Sequence, residues 1–215
     1  MKKGLICFDL DNTLIHSNKA HITAYQKSLK KHGYTHITNK QLEEKFGISS
    51  RKYLKDLIPE LTKKEIKSIR ETHDRYLKKT ARMYVTKIRG VISTLNELKK
   101  CYKLAIVTNC SKKNIDILTK ATKLDQRFFD VIVGNDQKLR PKPAPDEIIK
   151  AEHLLHLKAD YMVGDTIYDI IAARRAKVKC IAVKTGLHST AKLKKERPHA
   201  ILKSIKDIPK FLKKK

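Results

Sequence analysis

Short, nearly uncharged apolar runs recur along the chain. They alternate with longer stretches in which apolar residues return every three or four positions. The runs Leu5–Leu10, Leu104–Thr108, Val131–Val133, Tyr161–Val163 and Ile181–Val183 are rich in Val and Ile, as strands covered on both faces are. Between them, Val91, Ile92, Leu95 and Leu98 keep helical spacing. So do Ile115 with Leu118, and Ile148, Ala151, Leu154 and Leu155. Strand and helix in alternation predict an α/β fold, a Rossmann-like parallel sheet flanked by helices. Ligands of such sheets sit beyond the carboxyl ends of the strands.

Residues 17–86 break the alternation and read as wholly helical. Ile22, Tyr25 and Leu29 mark one helix, and Ile66, Ile69, His73, Tyr76 and Leu77 another. Thr38 with Gln41 and Thr62 with Glu65 have capping-box spacing. About 70 residues without a strand predict a helical cap domain (17–86) inserted into a core made of 1–16 and 87–215.

A chain of 215 residues with 40% hydrophobic and 33% charged residues is long enough and apolar enough to bury a core. No run approaches the roughly 20 apolar residues of a membrane helix. Two Asp residues interrupt the apolar run near the N-terminus, against the pattern of a signal peptide. The expectation is a cytoplasmic protein with no membrane role, monomeric or dimeric. Cys7, Cys101, Cys110 and Cys180 contain no CxxC pair and no His cluster completes a zinc set, so they read as reduced, largely buried thiols.

The net charge of +27 admits two readings: an anion-attracting or nucleic-acid-binding surface, or lysine as the general surface residue. The inserted segment holds 17 Lys or Arg against 7 Asp or Glu, close to its even share of the total. With aromatic residues at 6% and no RNA-binding signature, nothing in the composition calls for nucleic acid as partner.

The chemistry gathers at strand ends. Phe8-Asp9-Leu10-Asp11-Asn12-Thr13-Leu14 follows the first strand, with two carboxylates at i and i+2 on one side of an extended chain. Val107-Thr108-Asn109 ends a second strand with a hydroxyl and an amide. A proline-stiffened loop, Arg140-Pro141-Lys142-Pro143-Ala144-Pro145-Asp146, presents Lys142, and Gly164-Asp165-Thr166-Ile167-Tyr168-Asp169 ends a further strand. If these ends are neighbours, Asp9, Asp11, Asp165 and Asp169 converge and repel one another. A hard divalent cation, magnesium (Mg2+), would relieve that repulsion. A carboxylate nucleophile, a second carboxyl for proton transfer, and a hydroxyl, an amide and a lysine for phosphoryl oxygens form a kit for phosphoryl transfer.

The ordered set DLDNTL, VTN, RPKPAPD and GDTIYD resembles the haloacid dehalogenase-like hydrolase superfamily, over nearly the whole chain. It looks like the branch with a helical cap after the first strand, which includes phosphoglycolate phosphatases, pyrophosphatases and β-phosphoglucomutases. His199-Ala200-Ile201-Leu202 and Ile208–Leu212 look like that family's last strand and helix. The resemblance implies that Asp9 is nucleophile and metal ligand, and that Asp11 is general acid/base with its carbonyl on the metal. Thr108, Asn109 and Lys142 would hold phosphate, while Asp165 and Asp169 would serve the metal. Asn12 stands where the family more often has Gly, and Asn tolerates unusual backbone angles. Dehalogenases lack an acid at the place of Asp11, so its presence argues for a phosphatase.

The resemblance also compares Gly47–Lys52 with a cap loop that reaches toward substrate, which nominates Arg51 and Lys52 as contacts to a second anionic group. His16 and His21 read as exposed or hinge histidines, Asp146 as a helix start, and Asp136 and Asp146 stay outside the catalytic set. Lys213–Lys215 read as a solvated tail. The expected substrate is a small phosphorylated metabolite, phosphoglycolate-like first, with nucleotides, sugar phosphates or pyrophosphate behind. The alternatives are a phosphomutase and, from a different class, a nucleic-acid-binding protein.

Overall fold

The computed structural model describes residues 4–44, 46–135 and 139–213. Strand β1 is Gly4–Phe8, and β2 is the two-residue Ile15–His16. Four helices follow: α1 (Asn18–Lys31), α2 (Asn39–Glu44), α3 (Ser50–Leu57) and α4 (Lys63–Tyr84). Next come β3 (Thr86–Lys87), α5 (Val91–Leu98), β4 (Tyr102–Val107), α6 (Lys112–Thr122) and β5 (Val131–Val133). Then α7 (Asp146–Leu155), β6 (Ala159–Gly164), α8 (Ile167–Arg175) and β7 (Lys179–Val183) continue the alternation. It closes with α9 (Thr190–Lys195), β8 (Ala200–Leu202) and α10 (Ile208–Lys213).

Six strands pair in parallel in the order β5-β4-β1-β6-β7-β8. β1 is central and buried at every position, which explains why it carries no charge before Asp9. Its side chains alternate between the two faces. Ile6 and Phe8 join one cluster with Leu95, Leu104 and Ile181; Leu5 and Cys7 join the other with Ile148, Met162 and Ile170. Leu154, placed by its spacing on the buried face of α7, is instead 49% exposed, while Ile148, Ala151 and Leu155 pack on the sheet there.

Helices α1–α4 bring a third cluster: Ile22, Tyr25 and Leu29 meet Leu42, Tyr53, Leu54, Ile66 and Ile69. At about 1.5–3 kcal/mol for each fully buried Leu or Ile, it holds the four helices to one another. Thr62 and Glu65 form the expected capping box, and Thr38 and Gln41 make the same reciprocal bonds before α2. The lower turns of α1 and α4 merge with the sheet's core through Ala20, Ala24, Leu77 and Ala81. An antiparallel pair, Ile15↔Lys87 and His16↔Thr86, joins the chain where it enters and leaves these helices. Two residues per strand are too few to show a period-two pattern, so this pair carries no signal in the sequence.

Among the described residues no helix is long and apolar enough to cross a membrane. Lys213 ends α10, its side chain 75% exposed and 2.6 Å from Glu97; Lys214 and Lys215 lie outside the described residues, as does Asp136.

Candidate active site

The ends of β4, β1 and β6 are adjacent, and the expected side chains come from the turns beyond them. Asp9 follows β1, and its N–H still donates to Val163 at 2.8 Å. Asn12 turns the chain with φ 54, the left-handed region the sequence suggested, and its side chain donates to Asn18 at 2.7 Å. Thr108 follows β4 and is 1% exposed. The β5–α7 loop carries Lys142 inward, 3% exposed, where its ammonium donates to Asp9 Oδ1 (2.7 Å), Asp169 Oδ1 (2.7 Å) and the carbonyl of Val107 (3.0 Å). Thr13 donates to Asp165 Oδ1 at 3.2 Å.

Asp9, Asp165 and Asp169 are all buried, with carboxylate oxygens within 4.8 Å of one another. Burial raises Asp9 above the usual carboxylate range; Lys142 pulls it back, and Asp169 and Asp11 push it up again. Burial, Asp9 and Asp169 raise Asp165 as well. Burial alone would lower Lys142, but Asp169 and Asp9 hold its ammonium above the ordinary lysine range. An all-oxygen donor set whose members repel fits a hard cation such as magnesium. Asp169 is the member least available to it. One oxygen takes Lys142, and the other takes the N–H and hydroxyl of Thr166 in the capping box that opens α8. Gly186 lets the cluster close: a Cβ there would fall 1.7 Å from Asp165 Oδ2.

Asp11 stands apart, on the side of the inserted helices. It accepts from the Ser17 hydroxyl and from the Cys110 thiol (2.9 Å), and His21 Nε2 lies 3.4 Å from its Oδ1. Burial works against ionisation, yet His21, Cys110 and Ser17 together lower Asp11 to about 2. His21 is 5% exposed, not the surface or hinge histidine its position suggested. Its ring stacks on His73, with Nδ1 at 3.2 Å from His73 Nε2, and His73 Nδ1 reaches Asp74 at 3.3 Å. His16, in contrast, is exposed in β2.

Asp9, Asp11, Thr108, Asn109, Lys142, Asp165 and Asp169 all line one cavity of about 80 Å³. The inserted helices and their loops close it with Tyr25, Phe46, Gly47, Ile48, Ser50 and Tyr53. Arg51 and Lys52, the nominated cap contacts, do not line it. Both are exposed on α3, and Lys52 is held by Asp56 one turn on, at 2.9 Å. The loop before them does reach the site, since Gly47 accepts from Asn109 Nδ2 at 3.0 Å. The second hydrogen of that amide goes to the carbonyl of Lys142 (3.1 Å), so in this state Asn109 ties the insert to the core.

Two features escaped sequence reasoning. Cys110 is a wall of the cavity, and Cys101 is exposed, so only Cys7 and Cys180 match the expected buried thiols. Glu147, in the first turn of α7, is fully buried with both oxygens unpartnered; burial first, then Asp9 and Asp169 against the pull of Lys142, raise it to about 8.

A buried carboxylate trio at the carboxyl edge of a parallel sheet, one member of it bridged to a lysine, defines a hydrolase of the phosphatase type. The chain belongs to the haloacid dehalogenase-like hydrolase family, whose family model matches residues 6–183. It is 30% identical over 211 residues to the pyrophosphatase PpaX of Bacillus mycoides, covering 97% of this chain and 96% of the relative. A hydrolase from Pseudomonas syringae superposes with a TM-score of 0.88 at 25% identity, over 99% of both chains. CbbY from Rhodobacter sphaeroides, solved with phosphate, shares the fold with a TM-score of 0.83 at 19% identity, over 95% of each chain.

Proposed function

We propose that the protein hydrolyses a small phosphomonoester with magnesium, by way of a phosphoryl group carried on Asp9. The observation that carries this reading is the Lys142–Asp9 pair at 2.7 Å beside Asp165. Lys142 pulls Asp9 toward its ionised form and holds it in place, and its ammonium is proposed to meet the oxygens of an incoming phosphoryl group. Asp9 attacks phosphorus, the alcohol leaves, and water then attacks the aspartyl-phosphate to release phosphate and restore Asp9. Asp11 would protonate the departing oxygen and later take a proton from the attacking water. Its resting contacts hold it ionised, the form needed in the second step. The first step requires that substrate displace the Ser17, His21 or Cys110 contacts so that Asp11 can carry a proton. Thr108 and the backbone of Asn109 would complete the phosphate cradle. Asp9, Asp165 and the carbonyl of Asp11 would hold magnesium, which supplies charge neutralisation at the transferring group, while Asp169 steadies Lys142. Residues 17–86 would act as a cap over the core, opening for substrate and product.

A cavity of about 80 Å³ is small against the roughly 300–1,000 Å³ of drug-sized pockets, which favours a phosphoglycolate-like compound over nucleotides or hexose phosphates. Pyrophosphate is the second reading, favoured by the relative named pyrophosphatase PpaX. Against it, Lys142 is the one lysine or arginine among the described residues that lines the cavity, and the insert offers ring faces instead. Phosphate release from phosphoglycolate, pyrophosphate, nucleotides and hexose phosphates, with magnesium or with EDTA, tests this. Release from small compounds, lost with EDTA and in Asp9→Asn, is expected. Release that persists in Asp9→Asn sinks the nucleophile, and preference for nucleotides sinks the size argument.

A further inference from the structure

Asp11, His21 and Cys110 offer three different donor atoms, all within 4.8 Å of one another, in the wall of the cavity. The hydrogen-bond chain behind them assigns the histidine tautomers. His73 is buried, and burial first, with His21 against the pull of Asp74, lowers it to about 4, so its ring is neutral near pH 7. Its Nδ1 faces the Asp74 carboxylate, which only accepts, so His73 carries its hydrogen there and offers a lone pair at Nε2. His21 then donates from Nδ1, which leaves its Nε2 as the atom aimed at the cluster. That nitrogen is buried, makes no hydrogen bond, and lies 3.4 Å from Asp11 Oδ1. A polarisable thiol stands beside both, with its sulfur 2.9 Å from Asp11 Oδ2.

We propose that Asp11, His21 and Cys110 form a second metal site, selective for a borderline-soft divalent ion such as zinc. Nitrogen, sulfur and oxygen donors suit zinc and poorly suit magnesium, which demands oxygen. Zinc bonds of about 2.0–2.3 Å require donors roughly 3.3–3.8 Å apart in a tetrahedron. The His21–Asp11 spacing of 3.4 Å already meets that. Cys110 Sγ lies 2.9 Å from the other oxygen, Oδ2, and turns from it to the ion as the thiol proton passes to solvent. The supporting bonds exist: His73 fixes His21 through its Nδ1–H, and the Ser17 hydroxyl holds Asp11. All three donors line the cavity. Occupation takes the Asp11 carboxylate out of proton transfer, a consequence that rests on the acid/base reading above, and pins α1 to the loop after β4.

Cobalt(II) added to the full-length protein in saturating magnesium tests the site without reference to turnover, so a failure here is distinct from a failure of the phosphatase reading. The expected result is one cobalt per chain with a thiolate-to-cobalt charge-transfer band, displaced by zinc. The band should vanish in Cys110→Ala, weaken in His21→Gln and survive in Cys101→Ser, with thermal melts showing all three folded. No band in the wild type overturns the proposal. A band that persists in Cys110→Ala, or that disappears in Cys101→Ser, overturns it equally.

Discussion

The side-chain amide of Asn109 donates to the carbonyl of Gly47 at 3.0 Å, and with this bond a residue of the sheet's edge holds a loop of the inserted helices over the cavity. Gly47 is at φ +100, and a Cβ on it would come within 3.0 Å of Thr166, so the loop docks here because the residue is glycine. Asn109→Ala removes the latch. At about 1 kcal/mol for such a bond, kcat/KM should fall roughly 5–10-fold with little change in melting temperature. Unchanged kinetics would show that the latch plays no part in closure.

Gly186 and Asp165 are a second close pair. Gly186→Ala forces the Asp165 carboxylate to shift, because a Cβ would overlap its Oδ2 at 1.7 Å. The magnesium concentration for half-maximal activity should rise about 10–100-fold, as for other losses of ligand positioning. A titration matching the wild type would remove Asp165 from the metal's ligands.

Lys142 answers two buried carboxylates at once, so Lys142→Met leaves Asp9 and Asp169 without their common cation. Metal-free protein should lose about 3–5 kcal/mol in urea unfolding, and magnesium should restore part of it. A loss that magnesium leaves untouched would argue that the ion binds elsewhere. Phosphate release should fall about 100-fold or more.

Glu147 makes stability depend on pH in a defined direction. Its carboxyl titrates at about 8 in the folded chain against an ordinary value of 4.5. The folded protein therefore holds this proton more tightly than the unfolded one. The contribution is complete below about 4.5 and is lost as pH rises through about 8. Glu147→Gln should flatten the decline between those values, and above pH 8 it should be the more stable protein. Parallel curves for the two proteins would reject the buried acid.

The strands, the parallel sheet and the placement of Asp9, Thr108 and Asp165 were legible because each motif stands at the end of an uncharged run, and Lys142 was legible from the prolines that flank it. A strand end is a location that periodicity can give. The cluster around Asp11 was not legible. His21, His73 and Cys110 come from α1, α4 and the loop after β4, and each alone looks like a hinge, a core position or a plain thiol. Only the packing of α1 on α4 brings the first two together. Arg51 and Lys52 misled for the same reason, since the loop reaches the cavity but the facing of α3 turns both outward. Glu147 looked like an ordinary acidic first turn, and its burial follows from how closely α7 lies on the sheet.

The short β2–β3 pair bears on how the chain is made. β1 is the centre of the sheet, yet its neighbours come only with β4, from Tyr102, and β6, from Ala159. During synthesis the first strand therefore emerges alone, an apolar segment with two bare edges. Helices α1–α4 emerge next and can gather on their own cluster. The pairing of Ile15 with Lys87 then brings the chain leaving α4 back beside the chain that led into α1. With that long excursion tied off at its base, the search of β1 for β4 spans a short tether rather than the whole insert, which lowers the entropy of closing the sheet.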